Sequence, residues 1–206
     1  MLLVNFIQHI EQQFIQTDLL EWVAFVFAVL QVSLAAKNNV INFYAGIIST
    51  AFYTFLFFQI GLFAESVLNL YYFIVSVTGV LLWTKKNDKE QLPISTLRKK
   101  EWLKILLFNI LVFFFLYWVL STFTTSTVPF ADAFVSSIAW AGTFLMIFRK
   151  IENWIFLTIS NVFSFPLFLY KGVELTALLY ILYIIIGIIG FLKWKKALTT
   201  FSENDK

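Results

Sequence analysis

The sequence predicts an all-α integral membrane protein with seven transmembrane helices, set out as two parallel three-helix repeats around one extra span. Three observations carry this reading: the composition, the way charges punctuate the apolar stretches, and an internal match at a shift of 111 residues. The 206-residue chain is 60% hydrophobic, 20% aromatic and 13% charged. A soluble domain is about 45–50% apolar and about 25% charged. The mean hydropathy of +0.83 points the same way. A disordered chain, a collagen-like fibre and a disulfide-stapled secreted domain are excluded by the same numbers and by the absence of Cys.

The charges separate apolar stretches whose lengths match a hydrocarbon core of about 30 Å. Seven such stretches follow in order: Leu19–Ala36, Val40–Phe63, Ser66–Thr84, Trp102–Thr122, Asp132–Phe148, Asn153–Tyr170 and Val173–Leu192. Each reads as a helix, because barrel strands would alternate polar and apolar residues. The first 20 residues differ. Leu3, Phe6, Ile7, Ile10, Phe14 and Ile15 fall on one helical face and Asn5, Gln8, Glu11, Gln12 and Gln16 on the rest, the pattern of a short helix lying on the membrane surface. No basic start or long apolar run marks a signal peptide. The organisation is then a surface segment over 1–20, a first repeat over 21–84 and a basic loop over 85–101. A linker span with an outer loop covers 102–131, the second repeat 132–196 and a tail 197–206.

Fourteen of the 15 Lys and Arg residues fall on one side of this arrangement, and Lys171 alone on the other. The positive-inside rule places the N-terminus outside and the C-terminus in the cytoplasm. The basic clusters carry no nucleic-acid motif, so the net charge of +3 is assigned to the cytoplasmic membrane face rather than to nucleic acid.

Shifting the chain by 111 residues gives 14 identities over the 44 positions from Asn42 to Lys85 without a gap. Asn42 falls on Asn153, Ser49 on Ser160, Gly61 on Gly172, Tyr72 on Tyr183, Gly79 on Gly190 and Trp83 on Trp194. Apolar composition inflates chance matches among Leu, Ile and Phe, but it does not align Gly, Trp, Asn, Ser and Tyr in one register. The fourth span restores the orientation that three spans reverse, so the two triplets run parallel. Parallel repeats are a transporter architecture with the substrate between the halves near the midplane. A seven-helix receptor predicts no such repeat.

No Asp, Glu, Lys or Arg sits mid-span; Glu21, Glu65, Asp132, Glu152 and Glu174 all fall at span ends. A charge buried there would mark a proton or ion relay. There is no GxxxxGK[ST], HExxH or GxSxG motif, and the single His is His9 in the surface segment. The chain is therefore read as a non-enzyme with no catalytic residue, no metal site and no cofactor. Neutral polar groups and aromatics remain in mid-span: Asn42 and Tyr53, Asn69 and Tyr72, Trp140, Trp154, Thr158 and Asn161, and Tyr183. Asn161 lies seven residues after Trp154, two turns along the same face, with Thr158 between them. One helix thus offers an aromatic plate and then amide and hydroxyl groups, which suits a ligand with a flat ring and hydroxyls. Tryptophans near span ends also serve as interface anchors, and Ser, Thr and Asn in spans also join helices to each other.

These residues stand in strings that resemble a known family. GLFAESVLNLYYFIVSVTGVLLW (Gly61–Trp83), IENWIFLTISNVFSFPLFLYKGVELTALLYILYIIIGIIGFLKW (Ile151–Trp194) and AAKNNVINFYAGIIST (Ala35–Thr50) resemble the helix signatures of the PnuC family of bacterial vitamin transporters. The resemblance runs from about Glu21 to Trp194. It implies a SWEET-like three-plus-one-plus-three fold in the inner membrane and import of nicotinamide riboside, or of thiamine or riboflavin, by facilitated diffusion. Trapping by a cytoplasmic vitamin kinase would couple the two only metabolically; a homo-oligomer is compatible with the sequence. On this resemblance Trp154 takes the first Trp of the WxxW substrate motif, Asn161 the polar position after it, and Asn69 a substrate-contacting amide position. Leu157 stands where the second Trp is expected, and Val80 where a Trp often follows the Gly. The first departure removes one aromatic wall and leaves room for thiamine.

Overall fold

The computed structural model describes residues 19–59, 63–84, 92–172 and 174–204, with scattered positions before them. More than half of the expected surface segment and all of residues 85–91 lie outside the described residues. Among the described residues from Leu19 on, seven helices follow in order: α1 Leu19–Ala36, α2 Ile41–Gln59, α3 Phe63–Thr84, α4 Lys99–Phe123, α5 Pro129–Ile147, α6 Asn153–Tyr170 and α7 Glu174–Asn204. All but α3 are long and apolar enough to cross a membrane, and α3 carries a shorter apolar stretch, Leu68–Thr84. Among the described residues there is no strand, only an isolated bridge between Ser95 and Lys150. The chain is thus an all-α, multi-pass membrane protein.

The helix boundaries have local causes. Asn38 takes a positive φ of 53° after α1, a conformation that Asn tolerates better than most residues. The Asn39 side chain then accepts the Ile41 N–H at 2.9 Å and caps α2. Pro129 opens α5, where its missing N–H costs nothing. Gly172 ends α6 at a φ of 71°. α6 runs on through Pro166. α7 continues past the last apolar residues into the Lys-rich tail as far as Asn204, because no Pro or Gly after Gly190 stops it.

The packing forms a ring of six helices. α1 packs on α2 and α7, α2 on α3, α3 on α5, α5 on α6, and α6 on α7. The middle helices α2 and α6 pack on no helix of the opposite triplet among the described residues. There the triplets α1–α3 and α5–α7 meet along two seams, α1 on α7 and α3 on α5. α4 stands outside the ring, packed mainly on α5. Its exposed stripe of Leu103, Leu107, Leu111, Phe114 and Trp118 repeats at helical spacing and reads as a lipid-facing surface.

The largest buried cluster lies at the end of the ring that carries Lys37, Arg149 and Lys150. It gathers Ala35, Phe43, Trp83, Ile94, Ile147, Ile151, Trp154 and Trp194. A strap from Leu92 to Arg98 docks there: Ser95 N–H donates to the Arg149 carbonyl at 3.0 Å and Ile151 N–H to the Ser95 carbonyl at 2.9 Å. Leu97 N–H donates to Glu152 Oε1 at 2.8 Å.

Candidate functional site

Four of the sequence-expected residues come together inside the ring: Tyr53 on α2, Tyr72 on α3, Trp140 on α5 and Tyr183 on α7. The Trp140 indole stacks on Tyr71 at 3.8 Å between centroids with 13° between planes. Tyr72 meets the same indole edge-on at 6.4 Å. The Tyr71 hydroxyl donates to the Trp140 carbonyl at 2.8 Å and so fixes the stack. On the facing side Tyr180 and Tyr183 are edge-to-face at 6.2 Å, and Ser164 of α6 lies within interaction distance of Tyr180. Tyr53 lies within electrostatic reach of both Tyr180 and Tyr183, and Tyr72 within reach of Tyr180. α2 and α7 do not pack on each other, so these interactions act across the ring interior. The cluster itself is aromatic and rich in hydroxyls, with Glu21 within electrostatic reach of Tyr53 and Asp132 of Tyr180. Such faces attract a cationic ring by about 0.5–2 kcal/mol, and phenols can hydrogen-bond its hydroxyls.

Asn69 and Asn161 are half-buried on α3 and α6. The remaining expected residues, Asn42, Thr158 and Trp154, make close contacts within and between helices. Asn42 is 0% exposed, and its Nδ2 donates to the Asn39 carbonyl at 2.6 Å, closing the turn before α2. The Thr158 hydroxyl lies where a Cβ on Gly187 would meet it at 2.5 Å, so α6 and α7 approach closely there. Trp154 is 1% exposed. Its ring lies flat in the space left by Gly190, where an added Cβ would stand 2.7 Å away, and meets Trp194 edge-on at 5.7 Å. Its Nε1 has no partner. Leu157 fills the space beside Gly142, where a Cβ would come within 2.8 Å of its side chain.

Sequence reasoning left Tyr71, Tyr180 and Ser164 out of the site. Tyr180 shares a helical face with Tyr183 and Tyr71 neighbours Tyr72, but only the stacking partner Trp140 reveals the role of Tyr71.

One end of the ring is sealed by bonds that cross both seams. Trp83 Nε1 at the end of α3 donates to the Ile147 carbonyl of α5 at 3.1 Å. Trp194 Nε1 of α7 donates to the Ala35 carbonyl of α1, also at 3.1 Å. Arg149 lays its guanidinium over the Trp83 ring, 4.0 Å from the centroid, and donates to the Leu92 carbonyl of the strap. Burial lowers the Arg149 pKa, yet a guanidinium keeps its proton at neutral pH. At the opposite end the described bonds stay within a triplet. Lys171 pairs with Asp132 at 2.5 Å, Ser126 donates to Asp132 at 2.6 Å, and Ser66 donates to the Thr54 carbonyl at 2.9 Å.

Local contacts recur 111 residues on. Ser49 Oγ donates to the Ala24 carbonyl, and Ser160 Oγ to the Val135 carbonyl. Asn153 Nδ2 donates to the Lys150 carbonyl as Asn42 does to that of Asn39. Phe43 occupies the space left by Gly79 as Trp154 does that left by Gly190. Asn38 and Arg149 both take positive φ.

Comparison with known proteins agrees with this architecture. The family described as Nicotinamide mononucleotide transporter matches residues 18–196. The chain is 24% identical over 203 residues to the nicotinamide riboside transporter PnuC of Escherichia coli (strain K12), covering 85% of this chain and 84% of the relative. It is 23% identical over 188 residues to the nicotinamide riboside transporter PnuC of Neisseria mucosa, covering 84% of this chain and 71% of the relative. The crystal structure of the Vitamin B3 transporter PnuC superposes with a TM-score of 0.71 at 22% identity, over 96% of this chain and 91% of that one.

Proposed function

The chain belongs to the nicotinamide mononucleotide transporter family, and from that premise we propose that it imports nicotinamide riboside across a bacterial inner membrane by facilitated diffusion. The observation that carries the proposal is the uncharged cluster of Trp140, Tyr53, Tyr72, Tyr180 and Tyr183, drawn from both triplets at the ring interior. The pyridinium would lie against Trp140 and Tyr72, and the ribose hydroxyls would meet the phenols with Asn69 and Asn161. The names of the relatives support the substrate. The same site admits thiamine, whose thiazolium is also a fixed aromatic cation; Leu157 beside Gly142 in place of a second indole favours keeping this alternative.

The mechanism is alternating access. The triplets are parallel repeats that rock about the two seams, a reading supported by the contacts that recur 111 residues on. Trp83 and Trp194 form the gate at the basic end. That end faces the cytoplasm under the positive-inside rule, where a vitamin kinase traps the product without touching the transporter. With no mid-span charge to relay protons, the substrate moves down its own gradient.

Proteoliposome uptake tests this. Nicotinamide riboside should accumulate only when a trapping kinase and ATP are enclosed. Absence of flux for nicotinamide riboside, thiamine and riboflavin alike would leave a receptor or scaffold as the better reading. Preferential uptake of thiamine would reassign the substrate.

A further inference from the structure

A second polar site lies at the sealed end, apart from the tyrosine cluster. A cleft of about 280 Å³ is lined by Lys37, Asn38, Asn39, Val40, Trp83 and Arg149. Two of the six residues are cations and none is an acid. Arg149 is 4% exposed, and its Nε–H is buried without a partner. A buried donor left unpaired costs about 1–3 kcal/mol, more on a charged group. Among the described residues Arg149 makes no ion pair. Glu152, the nearest acid along the chain, spends one oxygen on Leu97 N–H and does not line the cleft. The Asn38 Oδ1 is also buried and unpaired, so the cleft offers an acceptor beside its cations. An unpaired guanidinium donor, a neighbouring ammonium and one acceptor match a partly protonated tetrahedral oxyanion.

We propose that this cleft binds a phosphate monoester through Arg149 and Lys37. Lys37 to Val40 join α1 to α2, whereas Arg149 joins α5 to α6. A phosphate held between them links the two triplets beside the Trp83 bond to Ile147 and holds this end shut. The source of the phosphate is either a soluble molecule or a lipid headgroup. The inference does not depend on which vitamin is carried.

The test is thermal unfolding of the purified full chain in neutral detergent, since a ligand of the native state raises the midpoint. Inorganic phosphate is titrated against chloride at equal ionic strength. Lys37→Gln alters an exposed side chain and keeps the fold, Arg149→Gln removes the buried donor, and the exposed Lys193→Gln serves as control. The expected result is a saturable rise in the wild type and in Lys193→Gln, with the titration displaced by about tenfold in Lys37→Gln and at least as far in Arg149→Gln. If inorganic phosphate is silent, the same comparison is made in vesicles of phosphatidylcholine with and without phosphatidic acid, whose headgroup is a phosphate monoester. A rise with phosphatidic acid that Lys37→Gln abolishes assigns the site to a lipid phosphate. If neither probe separates Lys37→Gln from Lys193→Gln, the proposal is overturned.

Discussion

In α1–α3, Ser49 ties α2 to α1, Phe43 lies against Gly79, and Trp83 reaches across to the other triplet. In α5–α7, Ser160, Trp154 with Gly190, and Trp194 do the same work 111 positions later. The ring interior does not follow this correspondence. Tyr53 stands opposite Ser164 in the register, Asn69 opposite Tyr180, Thr50 opposite Asn161 and Val29 opposite Trp140. Only Tyr72 and Tyr183 are shared there. Even the filler is exchanged: Gln31 fits over Gly46 in one triplet, and Leu157 over Gly142 in the other. The contacts held in common make the frame. The positions that diverge are those of the proposed site, as expected if a vitamin without two-fold symmetry asks different chemistry of each side.

The comparison can be broken most forcefully at its aromatic keystones. Trp154→Ala and Phe43→Ala should each lower stability by about 3 kcal/mol, the low end for a buried aromatic, because in lipid only packing is forfeited. Thermal melts in detergent should show both losses, with Trp154→Ala the larger. A Trp154→Ala protein of normal stability but impaired vitamin binding would move Trp154 from the frame to the site. Next in size is Trp140→Ala, which has no counterpart in the first triplet. Loss of a stacking plate is worth on the order of 1–3 kcal/mol, so vitamin affinity should fall at least tenfold in a Trp-fluorescence titration while the midpoint moves little. An unchanged affinity would place the ligand elsewhere. The smallest effect separates frame from site by symmetry. Ser49→Ala and Ser160→Ala should each cost about 0.6 kcal/mol, equally and without changing affinity; an affinity loss in one alone would assign that serine to the site.

The spans were legible because charge bounds them and lipid permits little besides helix. The strap from Leu92 to Arg98 was not. It docks through backbone hydrogen bonds of Ser95 and Leu97, which no side-chain pattern records. The full length of α7 was hidden for another reason: its last turns are polar, and hydropathy marks where the membrane ends rather than where the helix does. Within the proposed site, Tyr53, Tyr72, Trp140 and Tyr183 stand out in the sequence by their mid-span positions. Trp154 reads as a ligand plate from its own helix face, since spacing cannot reveal that Gly190 of another helix offers it a recess. The clue was present in the shared pattern of a glycine four residues before a tryptophan, Gly79 with Trp83 and Gly190 with Trp194.

The two seams of the ring have a mechanical consequence. If the triplets rock as proposed, they move as two panels of a box joined along two parallel hinges, since the backbones of α2 and α6 approach no helix of the opposite triplet among the described residues. Folding such a box moves two lines of contact while four stay fixed. α4, fastened mainly to α5, rides on one panel as an outrigger. A staple from α4 to α5 should therefore leave the box free to fold, whereas a staple from α1 to α7 should lock it.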